Sequence, residues 1–144
     1  MGVGEMHLKS YDSLPHVDVR AICDLDEKKL IEVAERYGIE RSYTDFSKVV
    51  EDPEIDVVSI CSYDDCHAEQ AVIAFKNGKH VMIEKPIALN YSQRDAIFRA
   101  QQDSGKYITS NLILRESPRF KQLKQSIDDG EFGEIFCIEG DYVH

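Results

Sequence analysis

Along the chain, segments in which apolar residues alternate as in a strand are followed by segments in which they recur with helical spacing. The segment 17–23 (VDVRAIC) alternates apolar and polar positions and ends in consecutive apolar residues, which predicts a strand that becomes buried on both faces. The apolar residues that follow recur with helical spacing between a predicted N-cap at Asp26 and a terminal Gly38. The first recognisable unit is therefore a strand followed by an amphipathic helix.

The same succession of strands and helices continues to about residue 114. Further strands are predicted at 42–43, 55–61, 80–83 and 106–114, and helices at 46–50, 68–75 and 92–102. Because the loops between them are short, this order predicts a parallel sheet covered by helices on both faces and joined by right-handed crossovers. The expected fold class is α/β, a doubly wound sheet of the Rossmann type.

Both ends of the sequence depart from this pattern. A doubly wound sheet normally opens with a strand that leads into a glycine-rich turn, but Gly2 and Gly4 come with no strand before them. Beyond Pro118 an amphipathic helix is followed by a predicted strand over 134–143, which has no later strand to pair with. We therefore expect a sheet without its first strand, followed by the start of a second, α+β domain, with the chain truncated at both ends.

Composition excludes several classes of protein. Of the 144 residues, 17 are basic and 27 acidic, and the net charge of −10 argues against binding to nucleic acid or to an anionic membrane surface. No apolar run approaches the ~20 residues that cross a bilayer, and the N-terminus lacks the pattern of a secretory signal. We therefore expect a cytoplasmic protein, in which the four cysteines are small apolar thiols rather than disulfides.

Gly4 and Asp24 have the spacing of a dinucleotide-binding fingerprint. In that motif glycines allow close approach to a pyrophosphate, and an acidic residue about 20 positions later binds the ribose hydroxyls. Asp24 comes directly after the predicted strand 17–23, where this rule places the acid. From these residues alone, Asp24 could equally be a cap of the following helix rather than a ligand of the ribose.

Glu84-Lys85-Pro86 directly follows the apolar run HVMI (80–83). A lysine at the carboxyl end of a strand lies where open α/β sheets bind ligands. Its ammonium group can stabilise an alkoxide or transfer a proton, and a neighbouring carboxylate can hold it in place. The alternative is an ordinary charged turn at the end of a strand.

Taken together, these motifs resemble the Gfo/Idh/MocA family of NAD(P)-dependent oxidoreductases. The matching features, in order, are Gly4-x-x-His7, the strand that ends at Asp24, the run YTDF (43–46), the strand IDVVSIC with SYDDCH, and GKHVMIEKPIA. The resemblance extends from Gly2 to His144, and the order and spacing of the motifs make it specific.

The resemblance implies a set of functional residues. The implied cofactor-binding residues are Gly2 and Gly4 at the pyrophosphate, Asp24 at the adenosine ribose, and Ser62, Tyr63, His67, Glu84 and Lys85. Lys85 is also the implied catalytic residue. Ser62 and Tyr63 replace a Thr-Pro or similar pair that is usual in the family, and Asn111 and Arg115 match positions near the junction of cofactor and substrate only loosely. No metal site is expected, since the spacing of Cys61, Cys66 and His67 matches no metal-binding motif.

The function implied is hydride transfer between a nicotinamide cofactor and a hydroxyl group of a sugar, inositol or nucleotide sugar. NAD is expected rather than NADP, because the Asp24 carboxylate would repel a 2′-phosphate. Residues 1–115 would form the dinucleotide-binding domain and 116–144 the beginning of a substrate and oligomerisation domain. The full-length enzyme is expected to be a homo-oligomer.

Two other interpretations stay open. One is a non-catalytic fragment of such an enzyme that cannot turn over alone, and the other is a methyltransferase-like Rossmann domain, which the Glu84-Lys85-Pro86 motif disfavours. Because a missing central strand would leave backbone groups unpaired at about 1–3 kcal/mol each, the isolated chain is expected to be marginally stable or to pair with another chain. It is also expected to show no measurable dehydrogenase turnover.

Overall fold

A computed structural model describes residues 2–141. The chain divides into two compact units, Met1–Asn111 and Leu112–His144. In the first unit the elements are α1 (Gly2–Asp12), β1 (Ala21–Cys23), α2 (Glu27–Tyr37), β2 (Arg41–Tyr43), α3 (Phe46–Glu51), β3 (Val57–Ile60), α4 (His67–Lys76), β4 (His80–Ile83), α5 (Tyr91–Ser104) and β5 (Ile108–Ser110). The second unit contains α6 (Ile113–Glu116) and α7 (Pro118–Asp128).

The five strands form two parallel sheets, with the orders β1-β2 and β3-β4-β5. This arrangement confirms the predicted α/β class and the parallel, Rossmann-type sheet. In a doubly wound sheet of order 3-2-1-4-5-6, the first strand lies between the strands that correspond to β1 and β3. Within residues 2–141 no strand joins β1 to β3, as the sequence pattern predicts.

The hydrophobic core lies against the three-stranded sheet. Val58 and Ile60 of β3 and Val81 and Ile83 of β4 are buried, in the alternation that a strand produces. Helices α4 and α5 cover these strands, and Phe75 and Ile97 are almost completely enclosed. The core therefore fixes the carboxyl ends of β3, β4 and β5.

Several predicted boundaries are confirmed by the side chains that cap the helices. Asp26 accepts a hydrogen bond from the Lys29 N–H at the start of α2, and Gly38 ends that helix with a φ of 67°. Asp45 caps α3 by accepting from the Ser47 N–H. The strand predicted at 80–83 is β4, residue for residue.

Other predicted elements are wrong in extent. The strand predicted at 17–23 is only Ala21–Cys23, and the one at 106–114 ends at Ser110, after which the chain turns into α6. The cause at the first site is a lack of burial, since Val17 is exposed. At the start of α4, Cys66 occupies the N-cap position and makes no side-chain cap hydrogen bond.

In the second unit, α7 confirms the helix predicted after Pro118. The strand predicted at 134–143 does not form in its described part, residues 134–141, and the remaining two residues lie outside the described range. Phe136 is 97% exposed and Ile138 75% exposed. An apolar, alternating segment becomes a strand only when a neighbouring strand pairs with its backbone, and residues 134–141 have no such neighbour in the described part of the second unit.

Candidate functional site

The glycines near the start of the chain lie in the first turn of α1, a helix that the sequence pattern did not predict. Gly2 has a φ of 35°, and a Cβ atom placed there would meet no atom within 4 Å. A Cβ on Gly4 would lie 3.6 Å from the Cβ of Cys61, just beyond β3. The first N–H groups of a helix have no partners within it and form its positive end, so this turn is suited to an anion.

Asp24 follows β1 and is partly buried. Its Oδ1 accepts a hydrogen bond of 2.9 Å from the N–H of Asp26. Burial raises the pKa of the Asp24 carboxyl, but the hydrogen bond from Asp26 and the charge of Lys29 are among the influences that bring it below its ordinary value. The group is therefore an ionised hydrogen-bond acceptor at neutral pH.

Ser62 and Tyr63 form an exposed loop after β3. Ser62 Oγ donates a hydrogen bond of 2.6 Å to Oε1 of Gln70 in α4, whereas the Tyr63 side chain is 81% exposed. A large aromatic ring in this position offers a flat apolar surface to a ligand.

His67, at the start of α4, is completely buried. Its Nδ1 lies 2.7 Å from the backbone oxygen of Pro86, and its Nε2 lies 3.2 Å from that of Ser62. The imidazole therefore links the loop after β3 to the loop after β4. The ring itself has no exposed surface.

Lys85 follows β4 at the carboxyl end of the three-stranded sheet, and its side chain is exposed. Its backbone N–H donates a hydrogen bond of 3.1 Å to Oε2 of Glu84, and the Lys85–Pro86 peptide bond is cis. The Glu84 carboxylate itself contacts His7 and Asn111. The lysine is thus presented to solvent by a strand end whose neighbouring side chains are hydrogen-bonded.

The contact partners of Glu84 cannot be identified from the sequence pattern. In the sequence, His7 stands out only within the motif Gly4-x-x-His7, and Asn111 only as a loose match to the family. Because α1 was not predicted, no pattern could place His7 beside the end of β4. Arg115, the other loose match, lies in α6 of the second unit.

The structure contains no group of three or more histidine, cysteine, aspartate or glutamate side chains within residues 2–141 that could hold a metal ion. The four cysteines are free thiols, and burial raises the pKa of Cys23 to about 11. None of the helices described is long and apolar enough to span a bilayer.

Comparison with known proteins gives a consistent match. Residues 1–112 match the sequence model of GFO_IDH_MocA, described as an oxidoreductase family with an NAD-binding Rossmann fold. The chain is 30% identical over 132 residues to a myo-inositol 2-dehydrogenase of Thermotoga maritima. The aligned segment covers 92% of this chain and 40% of that protein. It is also 30% identical over 149 residues to a levoglucosan dehydrogenase of Pseudarthrobacter phenanthrenivorans, covering 98% of this chain and 38% of that protein.

Solved structures give the same result. A scyllo-inositol dehydrogenase of Lactobacillus casei, with bound NAD(H) and scyllo-inositol, superposes with a TM-score of 0.87 at 25% identity, covering 92% of this chain and 39% of that one. A probable dehydrogenase of Thermotoga maritima superposes with a TM-score of 0.86 at 30% identity. The chain thus spans about 40% of the length of the relatives that it matches.

Proposed function

The chain belongs to the Gfo/Idh/MocA family of oxidoreductases, which have an NAD-binding Rossmann fold, and from this we propose that it supplies the NAD-binding part of a dehydrogenase acting on a ring hydroxyl of an inositol or a related sugar. The observation that carries the proposal is the position of Lys85. It is an exposed amine at the carboxyl end of a buried parallel strand, inside the segment that matches the family. Ligands of open α/β sheets bind at this edge.

The first turn of α1 fits the pyrophosphate of NAD. Gly2 and Gly4 place no side chain over the helix end, and nothing lies within 4 Å of a Cβ position on Gly2. Backbone N–H groups at a helix N-terminus bind phosphate oxygens, and the helix dipole favours the negative charge. We propose that these two residues hold the pyrophosphate.

Asp24 is proposed to accept hydrogen bonds from the adenosine ribose hydroxyls. Its lowered pKa supports an ionised carboxylate at neutral pH. A 2′-phosphate at the same position would meet a like charge, so we propose that NAD is preferred over NADP. Leu25 and Asp26, the next two residues, offer no cation to neutralise such a phosphate.

The loops after β3 and β4 are proposed to enclose the cofactor. Ser62 and Tyr63 would line it with a hydroxyl group and an exposed ring. His67 would contribute indirectly, because its buried imidazole contacts the backbone oxygens of Ser62 and Pro86. Glu84 is likewise assigned an indirect role, since its carboxylate contacts His7 and Asn111.

Lys85 is proposed to move the proton in the reaction. Bound NAD would supply the acceptor for a hydride from the carbon that bears the substrate hydroxyl. The neutral amine of Lys85 would take the hydroxyl proton as the hydride leaves, so the substrate would become a ketone and the lysine an ammonium. Exposure of the side chain allows that proton to pass to water.

The substrate class is proposed from the relatives, which are named for inositols and for levoglucosan. These molecules share a ring that carries several secondary hydroxyl groups. We further expect the enzyme to act in the cytoplasm as a homo-oligomer.

The test is turnover by a full-length enzyme that carries this sequence. Purified protein is incubated with NAD and, separately, myo-inositol, scyllo-inositol and levoglucosan, and NADH formation is followed by absorbance. We expect saturable NADH formation with at least one of these polyols. If no ring polyol is oxidised although NAD binds, the proposed substrate class is wrong, and if NAD does not bind, the proposed function as a whole is wrong.

A further inference from the structure

A cluster of polar side chains lies beside Lys85 and joins α1 to the strands of the three-stranded sheet. Nε2 of His7 lies 2.8 Å from Oε1 of Glu84, and Nδ2 of Asn111 donates a hydrogen bond of 2.6 Å to the same oxygen. The His7 and Glu84 side chains are only 10% and 12% exposed. Glu84 follows β4 and Asn111 follows β5, so the cluster brings together elements that are far apart in sequence.

The other nitrogen of His7 is also engaged. Nδ1 lies 3.1 Å from Oγ of Ser59 in β3 and 3.3 Å from the hydroxyl of Tyr11, one turn later in α1. Because a carboxylate oxygen only accepts hydrogen bonds, the proton of a neutral imidazole must lie on Nε2, and Nδ1 accepts from one of the two hydroxyls. This arrangement fixes both the tautomer and the orientation of the ring.

The second oxygen of Glu84 connects the cluster to the lysine. Oε2 accepts from the backbone N–H of Lys85 at 3.1 Å, and the N–H of Glu84 donates to the backbone oxygen of Ile60 at 2.9 Å. Burial raises the pKa of the Glu84 carboxyl. The hydrogen bonds from Asn111, His7 and the Lys85 N–H outweigh this effect, and the pKa lies below its ordinary value. The carboxylate is therefore ionised and holds three donors in fixed directions.

We propose that His7 is a positioning residue for hydride transfer: it orients the Glu84 carboxylate, which in turn fixes the backbone at Lys85. This inference rests on the proposed function of Lys85. The hydrogen bonds that lead from His7 to Lys85 pass through Glu84, whose Oε1 contacts His7 and whose Oε2 accepts from the Lys85 N–H. The same helix begins at Gly2, so the cluster also joins the proposed pyrophosphate site to the proposed catalytic lysine.

The kinetic test compares His7→Leu, which removes both ring nitrogens, with His7→Gln, whose amide can still donate to Glu84. A displacement of about 1 Å at a reacting group can lower the rate roughly 100-fold, so we expect His7→Leu to lower kcat by roughly 10- to 100-fold while the dissociation constant of NAD changes little. His7→Gln should recover most of kcat. His16→Leu, which changes an exposed histidine outside the cluster, is the matched control and should leave kcat unchanged.

A second readout does not depend on turnover. Hydrogen exchange of the Lys85 amide, followed by NMR, should become faster in His7→Leu and return towards the wild-type rate in His7→Gln. An unchanged exchange rate in His7→Leu, or an equal loss of kcat in both His7 variants, overturns the positioning role. If the wild-type enzyme has no activity but the amide responds as expected, the proposed function fails while the link from His7 to Lys85 stands.

Discussion

The two sheets of the first unit differ in how firmly they hold the residues at their ends. In the three-stranded sheet, β3 and β4 each contribute two buried side chains, and α4 and α5 enclose them. In the two-stranded sheet, no residue of β1 or β2 is fully buried. The sheet that carries Lys85 is thus part of the core, whereas the sheet that carries Asp24 packs at its margin.

The two candidate residues also lie in different surroundings. The backbone of Lys85 is held by a carboxylate that contacts α1 and the residue after β5. Asp24 lies on the loop after β1, where its Oδ1 accepts a hydrogen bond from the N–H two residues later. Proton transfer requires a group placed to within a fraction of an ångström, while a ribose hydroxyl can be bound by a carboxylate on a less enclosed loop. The more tightly packed sheet therefore carries Lys85, whose proposed role requires the more accurate placement.

The largest effect on kcat is expected when the Lys85 amine, at the end of the three-stranded sheet, is removed. In a full-length enzyme, Lys85→Ala should lower kcat by roughly 100- to 10,000-fold, the usual contribution of a general acid or base. The dissociation constant of NAD should change far less, because the loss falls mainly on the transition state. Steady-state kinetics and calorimetric titration measure the two quantities.

The matched control for this variant is Lys76→Ala, which removes an exposed lysine at the end of α4. Its kcat should equal that of the wild type. If Lys85→Ala retains near-normal turnover, Lys85 has no part in the mechanism.

A pair of isoleucines compares the stability of the two sheets directly. Ile83 in β4 is completely buried, while Ile22 in β1 is only partly buried. Ile83→Ala should lower the free energy of unfolding by about 2–5 kcal/mol, and Ile22→Ala by less than half of that amount. Urea denaturation measures both, and equal losses would show that the core extends evenly under the two sheets.

At the two-stranded sheet we expect a change in cofactor preference rather than in rate. Asp24→Ala should reduce the preference for NAD over NADP by roughly 10-fold, because the variant no longer places a carboxylate against a 2′-phosphate. Calorimetric titration with each dinucleotide gives the ratio, and Asp18→Ala, at an exposed acid ahead of the same strand, is the control. A wild-type protein that binds NADP more tightly than NAD would refute the role of Asp24.

The smallest effect concerns the pH dependence of stability at Glu84. Because the pKa of this carboxyl is lowered from 4.5 in the folded protein, its ionised form stabilises the fold above that pH, and the contribution is lost as the pH falls through the lower folded value. The difference in free energy of unfolding between the wild type and Glu84→Gln should therefore be largest at neutral pH and shrink below about pH 4.5. A difference that does not vary with pH would show that the hydrogen bonds do not depend on the charge.

The sequence pattern predicted those parts of the fold that depend on local chemistry. The cap at Asp26, the terminal Gly38 and the strand at 80–83 follow from spacing and residue type, and the structure confirms them. The predicted strands at 17–23 and 106–114 are too long, because alternation alone does not show where burial and sheet pairing end.

Some residues of the candidate site can also be identified from local sequence, and others cannot. Asp24 and Lys85 could be chosen from sequence because each follows an apolar run directly. The roles of His7, Asn111 and the buried His67 could not, since their partners lie 77, 27 and 19 residues away in the chain. Such contacts depend on how α1 and the strand ends pack together, which no local pattern encodes.

The central claim, that the strand ends of both sheets bind one NAD molecule, is tested most directly by titrating isotopically labelled protein with NAD and following its backbone amide signals. We expect saturable changes at Gly2, Gly4, Asp24 and Lys85 with a common dissociation constant, and little change at Lys79, which precedes β4 at the opposite edge of its sheet. Changes centred on Lys79, or no saturable change at the four residues, would contradict it.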